Sequence, residues 1–421
     1  KGPSLYIRTQ RIGNYFFSLN FQVGSNSARD ADFFRKNFYM TATRKKPIGF
    51  SKWESVLVKA IVILLASLWI YSPVFDGDWL WDDDYLITAN PVMQSPDGLA
   101  SYWVEPKTAD YFPLTMSALW LMWKWFGLDS TGYHIAAALL HALGACLVWA
   151  LFRTMNLRGA WLAGLIFAVH PLAVESVAWV SELKNTLSLP FFLAAGCFFV
   201  RFEDTGRRVF YWAALGFFLA AMLAKSSVVM FPVVMLLYVW WRRDRIAWRD
   251  LWNAAPFFLV SLLLGLVTLH FQHSRAIGNE PIPIGGLDSR FAIAGMAIFF
   301  YFSKILWPAL LLPIYPQWAA NPPEFSQFLA WPVLAGVLGV FWMRRKTWGR
   351  HALMGVGFYL ITLLPVLGFV AMSYMRVGWV ADHFLYIPMI GIVALVVGVG
   401  VRASDLAGVK WKPAFGILAA G

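Results

Sequence analysis

The chain has 421 residues, 59% of them hydrophobic, 17% aromatic and only 14% charged, with a mean hydropathy of +0.59. A soluble globular protein is roughly half apolar and a quarter charged, so this composition excludes a soluble domain. Repeated apolar runs of about 20 residues point to an all-α polytopic membrane protein rather than a barrel. The formal charge of +12 does not call for nucleic acid, because many Lys and Arg fall in short loops between apolar runs, as expected of cytoplasmic loops.

Residues 1–50 are polar and mixed and carry no signal-peptide pattern. Met40, followed by Arg44, Lys45 and Lys46, reads as a membrane-protein start, which would make 1–39 an upstream extension. The basic triplet places this end in the cytoplasm. Residues 51–421 read as one transmembrane domain. Its first span is expected over 55–75. A long outer loop, 76–112, follows and holds Asp82-Asp83-Asp84, Asn90, Glu105, Lys107 and Asp110. Residues 112–126 read as a juxtamembrane helix, too short and too charged at Lys124 to cross.

Further apolar segments are expected over 133–152, 160–180, 186–200, 210–223, 228–241 and 256–270. A second outer loop, 271–290, carries His273 and Arg275. Parity then becomes awkward. Arg344, Arg345 and Lys346 should be cytoplasmic, so 328–343 should start outside and 291–315 should enter and leave on one side. Trp307-Pro308 and Pro313 would make it a hairpin or a surface-lying helix. Segments at 352–370 and 385–401 complete a count of about eleven membrane-embedded helices. Cys146 and Cys197 lie inside apolar runs and read as packing residues rather than disulfide partners.

On this topology the ionisable residues at outer helix ends converge: Asp82, Asp83, Asp84, His170, Glu175, Glu182, Lys184, Lys225, Arg275, Lys304, Arg376, Asp382 and His383. Singly each has a plain explanation, the acid triplet as a solvated helix cap and Lys225 as a snorkelling side chain. Together they offer carboxylates for a general base and cations for a leaving phosphate, the needs of a transfer from an anionic lipid carrier. Adjacent carboxylates repel, which raises the pKa of one of them. Asp82 and Asp83 could also take a divalent cation, although nothing in the sequence demands a cofactor.

Several motifs resemble the transmembrane-and-tetratricopeptide-repeat protein O-mannosyltransferases and their bacterial relatives. They are Trp81-Asp82-Asp83 with Ile87 and Asn90, Phe112-Pro113-Leu114-Thr115, Gly132-Tyr133-His134, Leu140-His141-Ala142, His170-Pro171 with Glu175-Ser176, Leu223-Ala224-Lys225-Ser226 and Asp382-His383-Phe384-Leu385-Tyr386. The likeness runs in order from about residue 56 to 395. It implies a GT-C glycosyltransferase-like bundle with a long first outer loop and an inverting transfer from a polyprenyl-phosphate sugar. The acceptor would be a Ser/Thr hydroxyl of an extracytoplasmic protein, outside a bacterial inner membrane.

By the same resemblance Asp82 and Asp83 match the diacidic motif, with Asp82 the first choice of base, and Asp84 is a supporting neighbour. Lys225, Arg275, Arg376 and Tyr386 would hold the donor phosphate, supported by Asn90, His170, Glu175, Glu182, Lys184, Asp382 and His383. The family pattern has Arg where His383 stands. A lipid or envelope-glycan acceptor is the first rival reading. A non-enzymatic lipid or solute transporter is the second, and the clustering of ionisable residues at helix ends argues against it.

Overall fold

A computed structural model describes residues 52–104, 108–278 and 282–406. The expectations for 1–50 and for the terminal segment after Leu406 lie outside the described residues. Among the described residues the regular structure is helical. α1 (Lys52–Ile70) is followed by the first outer loop with α2 (Pro91–Gln94), α3 (Gly98–Val104) and α4 (Pro113–Phe126). Then come α5 (Ser130–Thr154), α6 (Ala160–Ala168), α7 (Val174–Ala178), α8 (Leu183–Thr205), α9 (Arg208–Ala224), α10 (Phe231–Arg243) and α11 (Trp248–Phe271). α12 (Leu287–Leu306), α13 (Ala330–Met343), α14 (Gly349–Leu363) and α15 (Met389–Leu406) complete the set.

Seven described segments are long and apolar enough to cross a membrane, or eight if α6 and α7 count as one span bent by 52°. The chain is thus a multi-pass, all-helical membrane protein that agrees with the expected GT-C-like bundle. Others of the eleven expected segments are shorter helices, among them α9 and α10, and α4 is the short helix expected beside the membrane.

Local chemistry sets the ends of these helices. Asp129 caps α5 by accepting from the Thr131 N–H. Gly206, at φ 68°, ends α8 in a left-handed conformation that costs a glycine little. Pro171 breaks the α6–α7 span because it cannot donate to the preceding turn and crowds it. Within the bundle α8 packs on α5 and α9, and α14 on α15. A Cβ at Gly391 would lie 2.4 Å from the Gly355 carbonyl, so α14 and α15 touch backbone to backbone, as small residues allow in membranes.

Two features position the site. Ile87, Met93, Tyr102, Met116, Leu119 and Tyr133 form a small apolar core of their own, joined to Val180 and Leu183. The first outer loop is therefore a packed layer fixed to the start of α8. The second feature bears on the segment whose parity was awkward. α12 starts with Phe291 packed on Phe369 and ends with the Ile305 carbonyl bonded to His170. In between, the Ile298 carbonyl accepts from Tyr359, near the end of α14. Both ends of α12 meet connections at one end of the bundle. The chain then returns alongside it through Tyr315 and Trp318, which pack on Phe300, to Trp331, which donates to the Phe291 carbonyl. The returning chain thus lies along α12, which is itself long and apolar enough to cross a membrane.

Candidate active site

Trp81 has φ +44°, an uncommon conformation for a large side chain that persists where its surroundings hold it. Here the Trp179 indole donates to the Leu80 carbonyl, and the two Trp rings meet edge to face at 5.8 Å. The turn sends two consecutive carboxylates to opposite fates. Asp83 is fully buried. Its Oδ1 accepts from the Ser181 N–H at 2.7 Å and the Ser181 hydroxyl at 2.5 Å, and its Oδ2 accepts from the Leu80 N–H at 2.9 Å. Burial pushes this carboxyl up against the pull of those three donors. Asp82, by contrast, is exposed and lines a cavity of about 1140 Å³.

Asp83, expected as a second base, is thus turned into the interior and bonded there. Its lone pairs hold the first outer loop to the turn before α8, and the shift comes from burial rather than pair repulsion. Among the described residues no group of three or more His, Cys, Asp or Glu could hold a metal ion. Asp84 accepts from Thr88 at 2.7 Å. Asn90 caps α2 by accepting from Val92 and Met93. Both are local loop contacts.

Across the cavity stands a charged cluster built from four elements. Glu182 accepts from Lys184 at 2.7 Å through one oxygen and from Asn185 at 2.6 Å and Lys225 at 3.1 Å through the other. Lys225 also donates to Asn185 at 2.6 Å. Glu175 accepts from the His383 backbone and ring, each at 2.8 Å. The other ring nitrogen of His383 lies 3.9 Å from Glu182. The helix between Glu175 and Glu182 is not continuous, yet His383 brings the two acids into one network. Burying so many ions is tolerable only because each is paired and hydrogen-bonded. Lys184 faces Asp82 and Asp110 closely enough to feel both charges. Its side chain is 19% exposed against 9% for Lys225, which makes it the more accessible cation.

Three residues expected at a donor phosphate stand elsewhere. Tyr386 is buried and its hydroxyl bonds His141 at 2.8 Å, while the other ring nitrogen of His141 donates to the Ala168 carbonyl. Arg376 donates to the Ala276 and Ile277 carbonyls. Arg275 stacks on Phe271 and reaches the Thr108 carbonyl at 3.5 Å. None of the three lines the cavity. His170 pins the α6–α7 break by accepting from the Leu172 N–H and holding the end of α12. Asp382 is buried and accepts from the Tyr315 hydroxyl at 3.0 and 3.2 Å; burial raises its carboxyl to about 6 despite that bond.

The cavity has two ends. Asp82, Asp110, Lys184, Lys225 and His383 surround the polar end; Val229, Val233, Phe258, Leu262, Leu266 and Leu269 line a cleft between α10 and α11. Leu262 and Leu266 are more than half exposed, so the cleft opens on the apolar flank of the bundle. Asp110 and Gln272 also line the polar end. Sequence reading did not place either in the site: Asp110 is one of many loop acids, and Gln272 carries no charge.

A polytopic helical membrane protein with a charged chamber at the head of an apolar cleft is the class this geometry defines. Sequence comparison narrows it. Residues 110–270 match the family described as dolichyl-phosphate-mannose-protein mannosyltransferase. Over 410 aligned residues the chain is 25% identical to "Protein O-mannosyl-transferase TMTC4" of Mus musculus, covering 80% of this chain and 54% of that protein. Against the Homo sapiens protein of the same name the identity is 24%, covering 82% and 55%. A shorter match, 26% over 160 residues, joins it to "Protein O-mannosyl-transferase F38B6.6" of Caenorhabditis elegans, covering 34% of this chain and 23% of that one. The chain spans about half the length of the TMTC4 proteins and is a relative of these O-mannosyl-transferases.

Proposed function

We infer that the protein is a membrane glycosyltransferase that moves a sugar from a polyprenyl-phosphate donor to a Ser/Thr hydroxyl of a protein outside the cytoplasm. The observation that carries this reading is the two-ended cavity, which offers a carboxylate and cations to a head group and an apolar cleft to a lipid tail. The chain's likeness to protein O-mannosyl-transferases supports the transferase class and a protein acceptor.

In this reading the lipid tail lies against α10 and α11. The donor phosphate sits by Lys184 and Lys225. A lysine has three donors, and Lys184 has one carboxylate partner here, so it can add a phosphate oxygen without giving up Glu182. The acceptor hydroxyl gives its proton to Asp82 as its oxygen attacks the anomeric carbon from the face opposite the phosphate. The bond from that carbon to phosphate oxygen breaks, the polyprenyl phosphate leaves, and the sugar is inverted. Lys184 and Lys225 offset the charge that develops on the leaving oxygen, an effect strengthened where water is scarce. Glu175, Glu182 and His383 hold those cations in place. No metal is required for these steps, although Asp82 could still contribute one ligand to a divalent cation.

A bacterial inner membrane, with the chamber on the extracytoplasmic face, is the setting that fits the basic loops. Mass spectrometry of extracytoplasmic proteins from cells with and without the protein tests the acceptor. Hexose on Ser or Thr that disappears with the protein is the expected result. Unchanged proteins together with a lost modification of a lipid or envelope glycan would transfer the same chemistry to that acceptor.

A further inference from the structure

The polar end of the cavity is spanned by a side-chain bridge that the transfer chemistry does not use. At the end of α11 the chain widens into a π-helical turn, Gln272–Ile277, a local distortion often found at functional sites. Gln272 is its first residue. The Gln272 amide nitrogen donates to the Asp110 carboxylate in the first outer loop, and its carbonyl accepts from the Ser373 N–H at 3.1 Å in the late outer connection. One side chain thus joins three outer segments, and Asp110, Gln272 and Ser373 all line the cavity. The rest of the turn repeats the pattern: Arg275 reaches the Thr108 carbonyl, while Arg376 donates to the Ala276 and Ile277 carbonyls.

We propose that Gln272 is a positioning residue whose bridge to Asp110 and Ser373 straps the outer mouth of the cavity and fixes the distance between the Asp82 loop and the His383 connection. The proposal deepens the transferase reading and rests on it for its effect on turnover, but the strap itself can be read without any sugar donor. Its chemistry is directional. A carboxylate facing an amide makes a charge-assisted hydrogen bond, whereas two carboxylates in the same place repel. Gln272→Glu keeps the acceptor for the Ser373 N–H and sets a second carboxylate against Asp110. Adding Asp110→Asn exchanges the two groups and restores an amide–carboxylate pair with the same total charge as the parent protein.

The test places a reporter cysteine at Ser227, on the cavity wall, in full-length protein carrying Cys146→Ala and Cys197→Ala. A water-soluble maleimide then reports access through the mouth. Gln272→Glu is expected to label about tenfold faster than the parent, since a hydrogen bond to a charged partner is worth roughly a factor of ten in an opening equilibrium. The double exchange is expected to return to the parent rate. Asp110→Ala, which breaks the bridge without repulsion, gives the same reading if Gln272→Glu does not fold. Equal labelling in parent, single and double variants overturns the strap, and so does a double variant that stays as open as Gln272→Glu. Sugar transfer measured on the same set should fall with Gln272→Glu and recover in the exchange. Labelling that follows the strap with no transfer in any variant would count against the transferase reading alone.

Discussion

Asp82 and Asp83 differ in what surrounds them rather than in their own chemistry. Asp83 has spent its carboxylate on Ser181 and Leu80, while Asp82 faces the cavity. Asp83→Asn would oppose an amide donor to one of those N–H groups, and leaving a buried donor unsatisfied costs about 1–3 kcal/mol. The detergent-solubilised variant should therefore melt below the parent, whereas Asp82→Asn should melt with it. An unchanged midpoint for Asp83→Asn would contradict the tethering role. The acid cluster was legible in the sequence, and the family motif put Asp82 first; the burial of Asp83 was not legible, because it depends on the positive φ of Trp81 and on Ser181 nearly 100 residues away. The surroundings of the two arginines were hidden for a similar reason. Arg275 and Arg376 look like spare cations in the sequence, whereas the structure sets each against backbone carbonyls of distant segments. Lys184, read as a supporting residue, is the cation that faces Asp82 and Asp110.

Among the elements, α12 is the most telling. It is long and apolar enough to cross a membrane, yet both its ends pack on connections at one end of the bundle. Cysteines placed singly at Leu287 and Trp307, both exposed, should be labelled by an impermeant reagent from the same side of sealed vesicles. Labelling from opposite sides would show that α12 crosses. The charge of Arg344-Arg345-Lys346 and the two prolines after Leu306 raised the same expectation in the sequence, because parity is a global constraint that a few residues can impose. The break between α6 and α7 was not anticipated, since 160–180 read as one apolar segment, although Pro171 was there to signal it. The π-helical turn after Phe271 had no such signal: no proline or glycine marks its start, and its shape follows from partners in two other loops.

At the scale of the whole molecule the apolar runs gave away the all-helical, multi-pass class, because the bilayer leaves a chain few other ways to satisfy its backbone. The cavity was not visible in that pattern. It forms where α8, α10 and α11 meet the packed first loop and the late connection, and its wall mixes lipid-facing leucines with ions drawn from four separate segments. The account rests on Asp82 acting at the head of that cavity. The most direct measurement reconstitutes the purified protein in vesicles with a radiolabelled polyprenyl-phosphate sugar and an acceptor, and compares it with Asp82→Asn. Label should pass to the acceptor with the parent protein and fall to background with a variant that stays folded. Full transfer by Asp82→Asn would contradict the account.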